Sequence, residues 1–216
     1  MVFFGCRPLL AKRNRPAKKV LTQSDMGTRT VSSDVGGSEI ISGGFFNFNI
    51  GTPTGLRPIT HLWFFDDGTT FQPAGVQARE LGLSVHHRDS MGSSSFRQEY
   101  VSATISGNTG RSEYIARDFI FVSADVVVTN PGWTESGTWT DDYGVTSNFT
   151  ENFQAFTLNL RAGWNAVYIR EVGSGTFTGT WPNYTSATWN LTYTLSTTPF
   201  AGRQLRWVVS QWYRQD

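Results

Sequence analysis

Three histidines and one cysteine are the side chains of this 216-residue sequence that a metal site would require first. His86 and His87 are adjacent, and adjacent residues of a β-strand point to opposite faces, so their imidazoles do not converge on one ion. His61 stands alone in the sequence. Because there is no second cysteine, a zinc site would need carboxylates from distant strands. The sequence therefore predicts no metal and no cofactor.

Carboxylates could instead carry general acid and base chemistry. Glycoside hydrolysis needs two carboxyl groups about 5–10 Å apart, and Glu135, Asp141, Asp142 and Glu151 lie near aromatic residues. The sequence does not say which of these carboxylates meet in space. The Gly-x-Ser-x-Gly motif that would mark a nucleophilic serine does not occur in the chain. We therefore predict that the protein is not an enzyme.

Glycine-rich and aspartate-rich segments are predicted to be turns rather than sites. Segments 107–110 and 173–175 contain two glycines each, but neither precedes a helical pattern, so neither can hold a phosphate at a helix N-terminus. Both are expected to be loops between strands. Segments 66–68 and 141–144 combine aspartates with a glycine, which favours turn geometry over the alternating ligands of a calcium loop.

Aromatic residues are the remaining candidates for ligand binding. Five of them lie on short Gly- and Thr-rich segments or turns, where an exposed ring could stack on a sugar or anchor a protein ligand. The alternative is that these rings cap the ends of a hydrophobic core. In contrast, Trp164, Trp189 and Trp207 lie inside predicted strands and are expected in the core. The five candidates are Trp133, Trp139, Tyr143, Trp181 and Tyr184.

Cys6 follows a short apolar run, Met1-Val-Phe-Phe-Gly5, with a small residue directly before it. This arrangement is typical of the end of a bacterial lipoprotein signal. An export signal needs a charged start and an apolar stretch of about 7–15 residues, so the run is too short to be a complete one. It fits the end of such a signal if translation starts further upstream. The alternative is a chance Gly-Cys pair.

Charge is distributed unevenly along the chain. Residues 1–35 carry seven basic and two acidic side chains, a net charge of +5, whereas residues 36–216 carry eleven basic and fifteen acidic side chains, a net charge of −4. A cationic arm on a mildly acidic body is more typical of a tether near an anionic surface than of nucleic-acid binding. We predict a signal and basic linker at 1–34, with residues 7–34 unstructured, and one domain at 35–216.

Short β-branched and aromatic runs separated by Gly, Pro, Asn and Asp follow the boundary near Val35. About eleven strands at this spacing predict an all-β, antiparallel sandwich of the immunoglobulin-like or jelly-roll-like kind. The only helix candidate is segment 76–81. The candidate strands are 39–50, 59–65, 81–87, 100–106, 118–129, 134–140, 153–160, 164–171, 175–181, 188–195 and 205–213.

Alternation of apolar and polar residues predicts which side chains face the core. It is cleanest in segment 188–195, where four apolar residues alternate with threonine and asparagine. Segments 153–160 and 164–171 are predicted to form a hairpin, because the loop between them contains Gly163, which can adopt the positive φ of a bulged turn. The predicted core residues are Trp189, Leu191, Tyr193, Leu195, Phe156, Leu158, Leu160, Ile120, Val122, Ala124, Val126 and Val128.

The stretch Phe156-Thr-Leu-Asn-Leu160-Arg-Ala-Gly163-Trp164-Asn165-Ala-Val167-Tyr168 is followed by Thr-rich strands and by Leu205-Arg206-Trp207-Val208. Together they resemble a segment of β-rich exported lipoproteins of unknown function, of the kind seen in spirochaetes and Bacteroidetes. The resemblance covers about residues 115–210 and depends chiefly on a Leu-x-x-Gly-Trp-Asn-x-Val pattern. It implies an all-β fold and an envelope location, and it supports lipidation of Cys6. It brings no catalytic residue.

Three functions follow from these observations as hypotheses. The first is a non-enzymatic cell-envelope or surface protein, anchored to the membrane through Cys6, that presents a β-sandwich for binding or structural roles. The second is a carbohydrate-binding module that uses the turn aromatics. The third is a viral or phage structural protein with a basic arm, although an arm of +5 is small for nucleic-acid binding. The expected partners are therefore a membrane and a glycan or protein ligand, and not nucleic acid.

Overall fold

The computed structural model describes residues 19–20, 30–33, 38–40, 50–62, 65, 68–86, 93–140, 145–180 and 183–210. Sixteen strands and a single turn of 3-10 helix, Ile59–His61, form this part of the chain. The strands are β1 (Lys19–Val20), β2 (Thr30–Ser33), β3 (Ser38–Ile40), β4 (Arg57–Pro58), β5 (Thr70–Gln72), β6 (Gln77–Glu80), β7 (Leu83–His86), β8 (Ser93–Ser106), β9 (Thr109–Val122), β10 (Val126–Asn130), β11 (Trp133–Thr140), β12 (Thr146–Phe153), β13 (Phe156–Leu160), β14 (Gly163–Thr180), β15 (Asn183–Ser196) and β16 (Arg206–Ser210).

Two sheets contain these strands, and they confirm the predicted all-β, sandwich-like fold. In the described residues the larger sheet has thirteen strands, with the main order β11-β12-β15-β14-β9-β8-β7-β2-β3. Off this path, β6 pairs with β9 and β4, and β16 pairs with β8 and β1. The smaller sheet has the order β13-β10-β5.

The main core is composed of apolar side chains from the smaller sheet, from β6, β9 and β14 of the larger sheet, and from the segment around the 3-10 turn. In β10 and β13 apolar residues alternate with polar or exposed ones, so each strand turns one row inward. Phe65, Phe71, Phe156 and Leu195 pack against this core. Its buried members are Ile59, Leu62, Val76, Ala78, Ile120, Val122, Val126, Val128, Leu158, Leu160 and Val167.

A second apolar cluster lies near the C-terminal end of β14 and the N-terminal end of β15. Trp189 is fully buried there and packs edge-on against Phe177, with the ring centroids 5.3 Å apart. Gly175 is directly opposite Trp189 in the register of β14 and β15. A Cβ atom at Gly175 would lie 2.5 Å from Cε3 of the indole, so glycine is what allows the ring to lie over β14. The other members are Val145, Tyr184, Ala187 and Phe149.

Most strand pairs are antiparallel, as predicted, but β12 and β15 are parallel, with Thr146 opposite Ser186 and Phe153 opposite Tyr193. The β11–β12 hairpin therefore docks on the outer edge of the β14–β15 hairpin. The predicted core row of β15 is confirmed: Trp189 and Leu191 are fully buried, Tyr193 is 6% exposed, and Leu195 packs against the main core.

The predicted hairpin between segments 153–160 and 164–171 is wrong. Strand β13 pairs with β10 in the smaller sheet, whereas β14 pairs with β9 and β15 in the larger one. Gly163 does have a positive φ of 101°, but the turn it supports carries the chain from one sheet to the other. A hydrogen bond of 2.8 Å from the Ala162 backbone N–H to the Asp125 carboxylate holds this connection against the neighbouring turn.

Other predicted elements are also corrected. The strand expected at 118–129 is two strands in different sheets, β9 and β10, and Ala124 is exposed in the turn between them. The helix candidate 76–81 contains strand β6, because its backbone pairs with β9 at Ala78–Val122 and the neighbouring positions. The strand expected at 59–65 contains the 3-10 turn, and Leu62 donates its backbone N–H to the Ile59 carbonyl there.

Glycine positions divide between turns and strand interiors. Gly107, with a φ of 57°, lies in the β8–β9 turn, as predicted, but Thr109 and Gly110 of the predicted loop 107–110 belong to β9. Segment 173–175, predicted as a loop, lies inside β14 instead, where Gly173 faces Leu191 across the strand pair. Gly68 lies in a turn, and Asp66, Asp67 and segment 141–144 fall outside the described residues.

The predicted N-terminal linker also contains strands. Strand β1 pairs with β16 and β2 pairs with β7 and β3, so pairing to the larger sheet begins before residue 35. Trp164 and Trp207, expected in the core, are half-buried rather than buried. The indole N–H of Trp164 donates to the Gly51 carbonyl at 3.0 Å.

Candidate binding surface

One face of the larger sheet is covered by short uncharged polar side chains from four adjacent strands. Alternate residues of β11, β12, β15 and β14 point to this face, and in register they form four rows of four positions. Fifteen of the sixteen positions are Thr, Ser or Asn, and we call these fifteen residues the hydroxyl lattice. They are Thr134, Ser136, Thr138, Thr140, Thr146, Asn148, Thr150, Asn152, Ser186, Thr188, Asn190, Thr192, Ser174, Thr176 and Thr178.

Hydrogen bonds between side chains join β11 to β12 in every row of the hydroxyl lattice. In two rows the threonine hydroxyl donates to an asparagine side-chain oxygen; in the other two, hydroxyl faces hydroxyl. The pairs are Thr134–Asn152 at 3.0 Å, Ser136–Thr150 at 3.1 Å, Thr138–Asn148 at 3.1 Å and Thr140–Thr146 at 3.2 Å. Cross-strand pairs of this kind each contribute about 0.2–1 kcal/mol to a sheet.

The lattice continues through the central strand β15 without interruption. Thr188 lies between Asn148 of β12 and Thr176 of β14, and Asn190 lies between Thr150 and Ser174. Strand spacing of about 4.8 Å and residue spacing of about 3.3 Å place its outermost Cα atoms roughly 14 Å apart across the strands and 20 Å along them. Most of its side chains are exposed.

Charged residues border the lattice but do not enter it. The sixteenth position is Val172, which is 38% exposed. Beyond β14, Arg111 of β9 lies opposite Ser174 and Glu113 lies opposite Val172. Glu113 is bound by Arg170 at 2.7 Å and Arg203 at 2.7 Å, so its charge is balanced locally. The lattice surface is therefore electrically neutral.

The opposite face of the same four strands is aromatic and acidic. Trp133 stacks on Phe153 with the ring centroids 3.8 Å apart, and Phe153 stacks on Tyr193 at 4.4 Å. These three rings form a ladder across β11, β12 and β15. Because a sheet has two faces, the ladder supports the strands from beneath the lattice.

Two carboxylates lie beside the aromatic ladder. Glu135 and Glu151 are directly opposite each other on β11 and β12. The hydroxyl of Tyr193 donates to Glu151 Oε1 at 3.3 Å. Burial and the facing Glu135 carboxylate raise the pKa of Glu151 above its ordinary value, although the hydrogen bond from Tyr193 acts in the opposite direction. The pair brings together two of the four carboxylates that were considered for acid and base chemistry.

A buried polar network occupies the same face of β8 and β9. Glu99 is 2% exposed; it forms an ion pair with Arg97 and accepts a hydrogen bond of 3.0 Å from the Tyr114 hydroxyl. Burial raises the pKa of Tyr114 and the pKa of Asp118 above their ordinary values. Arg97 and Tyr114 each compensate part of the buried charge of Glu99, which is a structural role.

The predicted site residues are distributed as follows. Tyr184 is 2% exposed and belongs to the second apolar cluster, so it is a core residue and not a surface ring. Trp133 and Trp139 are half-buried on the face opposite the hydroxyl lattice. Tyr143, Trp181 and Cys6 lie outside the described residues. The predicted use of the turn aromatics in binding stays a prediction for the residues other than Tyr184.

Histidines and acidic residues form no metal-binding group in the part of the chain that the structure describes. His61 is exposed on the 3-10 turn. The same part of the chain contains no helix that is long and apolar enough to cross a membrane.

Sequence reasoning missed the hydroxyl lattice as a unit. The signal was present, because Thr, Ser and Asn recur at every second position in β11, β12 and β15. That alternation identified a solvent-facing row in each strand, but only the strand order joins the rows into one surface.

Comparison with protein-family models, curated proteins and solved structures finds no match.

Proposed function

We propose that the protein is a non-enzymatic binding domain that attaches to an uncharged, hydroxyl-rich polymer, a neutral polysaccharide, through the hydroxyl lattice. The observation that carries the proposal is the four-strand array of Thr, Ser and Asn with no charged member. The ligand class is that of the second hypothesis, a carbohydrate-binding module, but the proposed binding surface is the hydroxyl lattice and not the predicted turn aromatics.

The chemistry of the lattice suits a neutral sugar polymer. Hydroxyl and amide groups can both donate and accept hydrogen bonds, as the hydroxyls of a polysaccharide do. A ligand with phosphate or sulfate groups would be better matched by arginine or lysine, which form charge-assisted bonds. The lattice contains neither of these residues.

Preorganisation also favours the lattice as a binding surface. Threonine is branched at Cβ and therefore stiff about χ1, so ordering it on binding costs little conformational entropy. The pairs between β11 and β12, such as Thr138–Asn148, already hold each other in place. Each contact with a sugar is expected to be weak, and affinity therefore depends on a repeating ligand that meets many rows at once.

The direct test measures binding of the full chain to insoluble neutral polysaccharides, such as cellulose and chitin, and to a glycan array. We expect Thr188→Lys, at the centre of the lattice, to raise the apparent dissociation constant about tenfold or more, a loss of about 1.4 kcal/mol. A lysine there introduces an ammonium group that the neutral surface cannot pair.

The matched control is Val101→Lys, because Val101 is 45% exposed and lies on the opposite face, in β8. It should leave binding unchanged. A Trp139→Phe variant tests the aromatic alternative, since that side chain also lies on the opposite face. No binding to any neutral glycan, or equal loss in Thr188→Lys and Val101→Lys, would contradict the proposal.

A further inference from the structure

The edge strand β11 is the outer boundary of the larger sheet on the lattice side. Among the described residues it pairs only with β12, over its full length from Trp133 to Thr140. An edge strand presents backbone N–H and C=O groups that can pair with another strand. Natural proteins usually block such an edge with lysine, proline or a bulge. β11 contains no lysine, arginine or proline, and its register with β12 is regular.

We infer that β11 pairs antiparallel with β11 of a second copy of this chain, so that two larger sheets join edge to edge across a two-fold axis at Ser136. In this register Ser136 lies opposite Ser136 of the second copy, and Thr134 lies opposite Thr138. Residues directly opposite each other must share a face, and each of these pairs does.

The aromatic side chains support this register. Trp133 lies opposite Trp139 of the second copy, which extends the ladder of Trp133, Phe153 and Tyr193 by one more ring. Glu135 lies opposite Gly137, and the Phe149 ring of the same copy covers Gly137, because a Cβ atom there would lie 2.7 Å from that ring.

A second copy fits this edge better than a charged partner. On the lattice face β11 presents only Thr134, Ser136, Thr138 and Thr140, and its single charged residue is Glu135. A pairing of eight-residue strands is small compared with stable dimer interfaces, so the dimer is a weak one that forms with rising concentration. It would join two hydroxyl lattices into one, but it does not depend on what the lattice binds.

Site-specific disulfide formation tests the register. In a Cys6→Ser background, which removes the only native cysteine, Ser136→Cys should give a covalent dimer on a non-reducing gel. Thr134→Cys is the matched control, because the two copies of residue 134 would lie about 13 Å apart along the strands, beyond the reach of about 7 Å for a disulfide. A covalent dimer from Thr134→Cys and not from Ser136→Cys would overturn the inference.

Light scattering after size-exclusion chromatography of the full chain tests the association itself. We expect the mass to rise from 24.1 kDa towards twice that value as concentration increases. Ser136→Lys places two like charges opposite each other and should raise the dimer dissociation constant more than about tenfold. Asn190→Lys, in the interior of the lattice, should leave it unchanged. A monomer at every concentration would overturn the inference without touching the glycan proposal.

Discussion

At the scale of single residues, Gly175 determines how closely β14 and β15 pack. Its missing side chain leaves space for Trp189, which is fully buried, and a Cβ there would lie 2.5 Å from the indole. The sequence predicted segment 173–175 as a loop, because glycine and serine are typical of turns. Nothing local distinguishes a glycine that bends the chain from one that admits a neighbouring ring, so this position required the strand pairing.

Gly175→Ala should destabilise the protein by about 1–3 kcal/mol, the usual cost of overpacking a core. Urea denaturation followed by tryptophan fluorescence gives the free energy of unfolding. Gly51→Ala is the matched control, because a Cβ atom at Gly51 meets no atom within 4 Å, and its effect should stay within about 0.5 kcal/mol. Equal effects of the two substitutions would contradict the packing argument.

Because two arginines bind Glu113, we expect the free energy of unfolding to depend on pH in the acidic range. Partial burial alone would raise its pKa, but hydrogen bonds from Arg203 and Arg170 outweigh this and hold the pKa below its ordinary value of 4.5. A lowered pKa in the folded state contributes stability at neutral pH, and this contribution is lost as the pH falls below 4.5 through the folded-state value. The advantage of the wild type over Glu113→Gln should therefore shrink in this range.

Glu151 supplies the control of opposite sign. Its pKa is raised, so the folded protein favours the protonated form, and the ionised form costs stability at neutral pH. Glu151→Gln should therefore be as stable as the wild type or more stable at pH 7, and any advantage should disappear in acid. Unfolding curves at a series of pH values measure both variants. A Glu113→Gln difference that is constant with pH would count against the ion-pair argument.

At the scale of elements, alternation predicted the inward rows but not the partners. Trp189, Leu191 and Leu158 were correctly assigned to the core, because the side-chain period of a strand depends only on its own residues. The hairpin between segments 153–160 and 164–171 was wrong, because the turn residues around Gly163 also suit a connection between two sheets. Pairing depends on distant strands, and one sequence carries little information about them.

Leu158 tests the packing between the two sheets. It is fully buried between the sheets, so Leu158→Ala should cost about 2–5 kcal/mol. Val127, on the neighbouring strand β10, is 39% exposed and serves as the control. Val127→Ala should change the free energy of unfolding by no more than about 0.5 kcal/mol. Thermal or urea unfolding measures both, and a cost below about 1 kcal/mol for Leu158→Ala would mean that the smaller sheet does not seal the core.

At the scale of the whole molecule, the all-β, sandwich-like class was predictable from composition and strand spacing. The hydroxyl lattice was predictable only in part: the threonine rows of β11, β12 and β15 can be seen in the sequence, but their order cannot. The parallel pairing of Thr146 with Ser186 brings together residues 40 positions apart. Such contacts are specified by the fold as a whole and not by any local pattern.

Attachment to a cell envelope through Cys6 stays a prediction, since this residue lies outside the described part of the chain. Expression from the natural start codon with a labelled fatty acid should give a labelled protein, and Cys6→Ser should abolish the label. Absence of label in the unaltered protein would contradict the prediction of a lipid anchor at Cys6. The outcome is independent of glycan binding, because the hydroxyl lattice lies entirely within residues 134–192.

The parallel contact between β12 and β15 also sets an order of events during synthesis. The ribosome makes the β11–β12 hairpin before β15, the strand on which that hairpin docks. Until β15 has emerged, Phe149 and Phe153 lack their cross-strand neighbours Trp189 and Tyr193, and the edge of β12 is open to other nascent chains. Docking of the β11–β12 hairpin therefore waits for β15, and a chain that stalls or is truncated before this strand would expose the unpaired edge of β12 to aggregation.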